Sequence, residues 1–323
     1  MSTAKWPSLS VVMPNYNHGA YLPRSLAALL DQSAPASEVI VVDDASKDNS
    51  LEVLEGFAKR YPNLRMLRNE QNLGAVKAAQ RGMAEAKGDY LFLPSADDEI
   101  LPGFFEASLR LLAEHPNAAS SCTVSTWFVP GSNLEWHMGA GMADRACYLS
   151  PDDLVKVGRR GKLPIPTCSV IMKRSTLDEC GGFLPEFRWH ADWYAITVPA
   201  FRYGMCYVPE PLSNVHLTPA SFSRKGMRSQ EQIEVLTRLL DRLNSPGCAD
   251  VVPRIRDSAA LNMFGLTVVR LMMSRREYRH FLTAMLVLRA SHRSLEVLGR
   301  RILPGPIARL AVRLLYRQKP SRG

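Results

Sequence analysis

Asp89-Tyr90-Leu91-Phe92-Leu93-Pro94-Ser95-Ala96-Asp97-Asp98-Glu99 decides how the rest of the chain is read. Tyr90 to Leu93 is an apolar run of strand length, and beyond Pro94 come three consecutive acids that cannot stay in a core unpaired. The acids therefore sit at the strand's exit. In an open α/β sheet the carboxyl ends of the strands face the crevice where ligands bind, and carboxylate oxygens there suit Mg²⁺ or Mn²⁺. On this stretch alone, an acidic loop that caps the next helix fits equally well.

Working outward, the same grammar repeats upstream. Leu9 to Met13 is a β-branched run closed by the turn-forming Pro14-Asn15-Tyr16-Asn17-His18-Gly19, and Leu22, Leu26, Leu29 and Leu30 then recur at helical spacing. Glu38-Val39-Ile40-Val41-Val42 is a strand of the kind covered on both faces, and it also ends in acids, Asp43-Asp44. A helix from Asp48 to Tyr61, a strand from Leu64 to Leu67 and a helix from Ala75 to Ala86 follow. The order β-α-β-α-β-α-β implies parallel strands joined by crossovers. Two acid pairs at strand ends suit a nucleoside diphosphate, one for base or ribose and one for the metal on the phosphates. Gly139-Ala140-Gly141 lacks a third glycine and a preceding strand, and no G-x-x-x-x-G-K occurs, so dinucleotide and P-loop readings are discarded.

The 323 residues, 46% of them hydrophobic, can bury a sizeable core, which excludes a disordered chain. The net charge of +9 is uneven: residues 224–323 hold 20 Lys and Arg against 7 Asp and Glu, leaving 20 against 24 before them. That basic C-terminal third is suited to an anionic partner. The six cysteines (122, 147, 168, 180, 206 and 248) have no C-x-x-C or His-paired spacing, so zinc and redox motifs are not indicated and reduced thiols are expected. With no signal-type apolar core at the N-terminus and no spanning stretch, a cytoplasmic protein is expected.

Val11-Val12-Met13-Pro14-Asn15-Tyr16-Asn17, Val41-Val42-Asp43-Asp44-Ala45-Ser46-Lys47-Asp48, Asn72-Leu73-Gly74 and Gly88 to Asp98 together resemble the inverting family 2 glycosyltransferases of GT-A fold. Gly181-Gly182-Phe183-Leu184-Pro185-Glu186 and Trp189-His190-Ala191-Asp192-Trp193 are similar to that family's Gly-Gly-Phe and late acidic motifs, and the resemblance covers about residues 8–223. It implies a mixed sheet flanked by helices over residues 1–223, to which the helical periodicity of the tail adds a basic helical extension over residues 224–323. It also implies a nucleotide site of Pro14, Tyr16, Asn17, Asp43, Asp44, Gly74, Ser95 and Ala96, with Asp44 facing the base. Asp97 and His216 are implied to hold Mn²⁺ or Mg²⁺. Ser95 departs from the first acid of the family's Asp-x-Asp, and Asp98 can compensate for the missing charge. Asp192 takes the place of the catalytic base. Set between Trp189 and Trp193, its carboxylate would be partly desolvated and more basic. A helix-start acid without a catalytic role is the plainer reading of the same residue.

The implied reaction moves a sugar from a nucleotide-diphosphate sugar, by family habit a UDP-sugar, to a hydroxyl of a glycan or lipid-linked acceptor in cell-surface polysaccharide synthesis. Trp127, Trp136 and His137 are candidates for stacking on sugar, beside the plain reading of core packing for Trp127, and residues 136–144 are expected to form a loop. Gln230 to Leu243, Arg254 to Met273 and Tyr278 to Ala290 have helical periodicity. From Ile307 to Arg317, Arg309, Arg313 and Arg317 form a stripe that suits an anionic membrane surface or, equally, an exposed face of a packed helix. The extension can also pair two copies into a homodimer. Nucleotidyl transfer onto a sugar phosphate would need a Gly-rich basic loop after the first strand, and none is present. A degenerate transferase that binds donor without turnover would share these motifs, and a binder of anionic polymers would share the basic tail. Nucleic acid is not expected, because the tail lacks interleaved aromatics.

Overall fold

The computed structural model describes residues 6–128, 135–163, 165–216, 223 and 226–292. The upstream half alternates as its sequence pattern dictates: β1 (Leu9–Asn15), α1 (Leu22–Leu30), β2 (Glu38–Asp43), α2 (Ser50–Ala58), β3 (Leu64–Arg68), α3 (Ala75–Glu85) and β4 (Tyr90–Phe92). β1 lies parallel to both β2 and β4, and β2 lies parallel to β3. After β5 (Glu99–Ile100) and α4 (Phe104–Glu114) come β6 (Ser120–Phe128), β7 (Glu135–Met138), β8 (Cys147–Leu149), α5 (Pro151–Arg159), β9 (Val170–Lys173), α6 (Arg174–Glu179), α7 (Ala191–Tyr203) and β10 (Met205–His216). The sheet runs β3-β2-β1-β4-β9-β6-β10-β5, with β7 on β6 and β8 on β10. It is mixed because β9 enters antiparallel between β4 and β6.

Both faces of the sheet are covered. Val11, Met13, Val39, Val41 and Phe92 face one layer with residues of α1, α2 and α4, while Val12, Ile40, Val42 and Leu91 face the other with α3 and α7. This is why the strands read as continuous apolar runs and not as alternation. α3 sits so close that a Cβ on Gly82 would lie 2.4 Å from Val12 Cγ1. The second cluster continues without a break into Leu236, Leu239 and Leu240 of the helix Gln232–Leu243 and on to Phe264, Val268 and Ala290. The helical extension thus packs on the same core as the sheet.

Three local expectations fail, one of them at Tyr278 to Ala290, which is divided into a 3₁₀ turn Arg276–Phe281 and a separate helix over residues 284–292. Residues 136–144 are not all loop: Glu135–Met138 forms β7, pairing Trp127 with Trp136 and Thr126 with His137. The pleat of β6 recruits this short polar segment, which the nearby glycines obscure. The single helix expected from Arg254 to Met273 is three pieces, Val252–Asp257, a 3₁₀ turn Ala260–Phe264 and Gly265–Ser274. Ala259 at φ 54° and Gly265 at φ 62° interrupt it in the left-handed region. The Ile307 to Arg317 stripe, Leu217 to Ser221, and Arg224 and Lys225 lie outside the described residues.

Candidate active site

The site is built at the carboxyl ends of β1, β2 and β4. Asp43 and Asp44, 0% and 2% exposed, both turn inward. Asp43 accepts from Asn15 Nδ2 at 2.9 Å and from the Ser46 amide at 3.0 Å. Asp44 accepts from Asn69 Nδ2 at 2.6 Å, the Leu73 amide at 2.9 Å and the Gly74 amide at 2.8 Å. The Asp44 carboxylate therefore ties the β3–α3 loop to the end of β2, and Gly74, at φ 88°, has the backbone freedom that this approach requires. Asn17 accepts from the Lys47 amide at 2.7 Å through Oδ1, and its own amide donates to Ser46 Oγ at 2.9 Å. Asn17 and Ala45 both occupy the left-handed region, at φ 56° and 63°. Pro14 is half-buried, whereas Tyr16 is 42% exposed at the rim with its ring free for a planar ligand.

The second corner follows β4. Ser95 is exposed, Ala96 is buried and Asp97 is half-buried. Arg24, from α1, donates Nη2 to the Asp97 carbonyl at 3.1 Å and holds Nε 3.9 Å from Glu99 Oε2. Burial pushes the Asp98 carboxyl well up, and the charge of Asp97 adds to that, opposed by the Ser95 hydroxyl. β10 brings His216 here: Asn214 pairs with Glu99, and the imidazole stacks on Phe128 with centroids 5.5 Å apart. Burial, then Arg24, lowers the His216 pKa against the pull of Glu99 and Asp97, which favours the neutral ring. Its Nε2 is buried and has no hydrogen-bond partner among the described residues.

Carboxylate oxygen suits both Mn²⁺ and Mg²⁺, a neutral imidazole nitrogen suits Mn²⁺ better than Mg²⁺, and the buried Nε2, without a hydrogen-bond partner among the described residues, is open to such a role. Asp97 and His216 therefore fit a divalent ion. Among the described residues no three His, Cys, Asp or Glu side chains converge, so water or ligand oxygens would have to complete a shell.

The third corner is Asp192, in the first turn of α7. Burial raises its pKa, opposed by a hydrogen bond from Thr167 Oγ1 to Oδ2 at 2.7 Å and one from the Trp193 amide to Oδ1 at 2.7 Å. The two flanking tryptophans work differently from expectation: both point into the helical extension. Trp193 packs on Phe264 at 5.1 Å, and Trp189 Nε1 donates to Gln232 Oε1 at 2.6 Å. His190 Nε2 reaches the same oxygen at 3.1 Å, and burial drops its pKa to about 4. Arg188, at φ 45°, pairs with Glu231. Gly226 lies flat on Trp189, where a Cβ would be 2.1 Å from the ring.

Sequence reasoning missed Thr167, Arg24 and Asn69, and read Glu99 only as one of the three acids at the strand's exit. Nothing local marks Thr167, which sits on the 3₁₀ turn Thr167–Ser169 whose Cys168 lies beside Ser125 and within the field of Asp98. That turn links the corner of Asp97 and Asp98 to Asp192. Asn69 stood in a stretch legible only as a turn. On β6 and β7, the Trp127 and Trp136 rings lie 6.0 Å apart, while Thr126 Oγ1 and His137 Nδ1 are 3.2 Å apart.

The sequence model described as Glycosyl transferase family 2 matches residues 10–182. The putative teichuronic acid biosynthesis glycosyltransferase TuaG of Bacillus subtilis (strain 168) is 26% identical over 242 residues, covering 74% of this chain and 90% of TuaG. Residues 1–349 of S. aureus TarS, in complex with UDP-GlcNAc, superpose with a TM-score of 0.62 at 17% identity, covering 89% of this chain and 92% of that one. The mannosyltransferase PcManGT from Pyrobaculum calidifontis, in complex with GDP-Man and Mn²⁺, gives 0.58 at 17% identity over 98% and 89%. Likeness at these identities concerns the fold, which is GT-A.

Proposed function

Because the chain belongs to glycosyl transferase family 2, we propose that it moves a sugar from a nucleoside-diphosphate sugar, a UDP-sugar in the first instance, to a hydroxyl of a glycan or lipid-linked acceptor with inversion. The observation that carries this reading is Asp192: a carboxylate made more basic by burial, held by Thr167, at a helix start beside the diphosphate corner. Asp192 takes the acceptor hydroxyl proton as that oxygen attacks the anomeric carbon. The bond from that carbon to the diphosphate oxygen breaks on the opposite face, and the nucleoside diphosphate leaves. In-line displacement of this kind inverts the anomeric centre.

Tyr16 and Asn17 at the rim, with Pro14 beneath, take the base, and the loop fixed by Asp44 through Leu73 and Gly74 closes its side. Ser95 and Ala96 border the ribose. Asp97 and His216 would hold Mn²⁺ or Mg²⁺, which when bound supplies positive charge against the leaving diphosphate. Support for the donor class comes from TarS with UDP-GlcNAc and PcManGT with GDP-Man and Mn²⁺. TuaG, named for teichuronic acid biosynthesis, supports a role in cell-surface polysaccharide. Trp136 and Trp127 offer aromatic faces to the acceptor sugar. With a nucleotide-sugar donor, the reaction belongs on the cytoplasmic side.

The test is thermal stability with UDP, GDP, CDP, dTDP and ADP, with and without Mn²⁺, for the protein and for Asp97→Ala. A ligand at 100 times its dissociation constant adds about 2.7 kcal/mol. A shift that needs both Mn²⁺ and Asp97 supports the reading. No shift with any nucleotide refutes it.

A further inference from the structure

Away from the donor site, four cations meet around the end of α5 without an acid to balance them. Arg159 donates Nε to the Asp257 carbonyl at 3.1 Å, and Arg160 donates Nη2 to the Met142 carbonyl at 2.9 Å. The Lys162 side chain lies over Gly141, where an added Cβ would be 3.5 Å from its Cε. Arg289 donates to the Arg159 carbonyl, and its Nε is buried without a partner among the described residues. None of the four enters an ion pair among the described residues. Arg159 and Arg160, together with Lys156, also line a groove of about 380 Å³ whose apolar lining is Met142, Leu149 and Val157. Its one carboxylate, Asp153, is taken by Lys156 at 3.0 Å. Clustering four like charges around apolar side chains is unfavourable unless an anion joins them.

The element that carries Arg289 says which kind of anion. Residues 284–292 are helical, and Leu286 and Ala290 bury one face in the core. Met285, Leu288, Arg289 and His292 follow the i, i+3, i+4, i+7 spacing of the adjoining face. Met285 is 36% and Leu288 66% exposed. Six of the nine exposed large apolar side chains among the described residues fall after residue 225. A site for a soluble polyanion needs the cations but gains nothing from bare leucine beside them. A lipid surface uses both. The chain beyond this helix, residues 293–323, carries eight Lys and Arg against one Glu, so the charge continues from the same point.

We propose that this face, made by the turn Arg159 to Lys162 and the stripe Met285, Leu288 and Arg289, rests on an anionic lipid bilayer, with the cations at the headgroups and Leu288 below them. Sugar transfer then takes place at a surface, where an acceptor with a lipid anchor would be held.

The test is co-sedimentation of the full chain with vesicles of phosphatidylcholine alone and with about one third phosphatidylglycerol. Retention is expected only on the anionic vesicles and to fall with salt. Lys162→Gln with Arg289→Gln should weaken it about fivefold for each cation. Leu288→Asp should weaken it about tenfold or more, with melting temperature and donor binding unchanged. Equal retention of all variants would put the contact in residues 293–323 and overturn the proposal. So would a full effect of the charge variants with none from Leu288→Asp, together with competition by soluble polyphosphate, since that pattern marks a soluble polyanion site.

Discussion

Thr167 donates its hydroxyl hydrogen to Asp192 Oδ2 at 2.7 Å, across 25 residues of chain. This bond favours the charged carboxylate, while burial favours the neutral acid, so Thr167 sets how far the basicity of Asp192 rises. Thr167→Val should move the acid limb of the pH–rate profile to higher pH and lower transfer about tenfold at neutral pH. Thr167→Ser keeps the hydroxyl and should restore both. An unmoved acid limb in the valine variant would show that Thr167 does not tune Asp192.

Asp192→Asn separates chemistry from folding. Transfer should drop by about 10² to 10⁴, with nucleotide binding intact. The folded pKa of Asp192 lies above its unfolded value, so its ionisation costs stability once pH exceeds the ordinary carboxylate range. The asparagine variant should therefore melt higher than the parent at pH 7, an advantage that fades in acid. A variant that melts lower at neutral pH would contradict this.

His190 acts with the opposite sign. Burial drops its pKa from 6.5 to about 4, so stability is complete above pH 6.5 and declines as pH falls between about 6.5 and about 4. The loss should be on the order of 3 kcal/mol at full effect. Melting curves across that window measure it, and His190→Gln should flatten the slope.

Asp44→Ala strands three donors, Asn69 Nδ2 and the amides of Leu73 and Gly74. The expected loss is about 3 kcal/mol, seen as a lower urea midpoint at unchanged slope. Donor affinity should fall with it, because the same loop borders the base. If Asp44 served the base alone, affinity would fall and the midpoint would stay.

The upstream half was legible because its strands are buried on both faces and announce themselves as apolar runs. Asp43 and Asp97 stood out because acids at strand ends are conspicuous in sequence, whereas Asp192 was singled out by the family resemblance alone. The direction of Asp44 was not: its fellow acids suggested a ligand, whereas its bonds to Asn69, Leu73 and Gly74 come from a loop whose approach only the folded chain specifies. Thr167 was hidden for a similar reason, since a lone threonine before a strand carries no local signal. β7 was hidden by its length: four residues, Glu135–Met138, offer too little alternation to outweigh Gly139 and Gly141 beside them. The break at Ala259 has no breaker residue at all.

The matched family segment ends at residue 182, yet Trp189, His190 and Trp193 are lodged against Gln232 and Phe264. The two parts are therefore one folding unit: a chain cut before Gln232 would leave Trp189, His190 and Trp193 without Gln232 and Phe264, and the helix that begins at Ala191 would lose its seat.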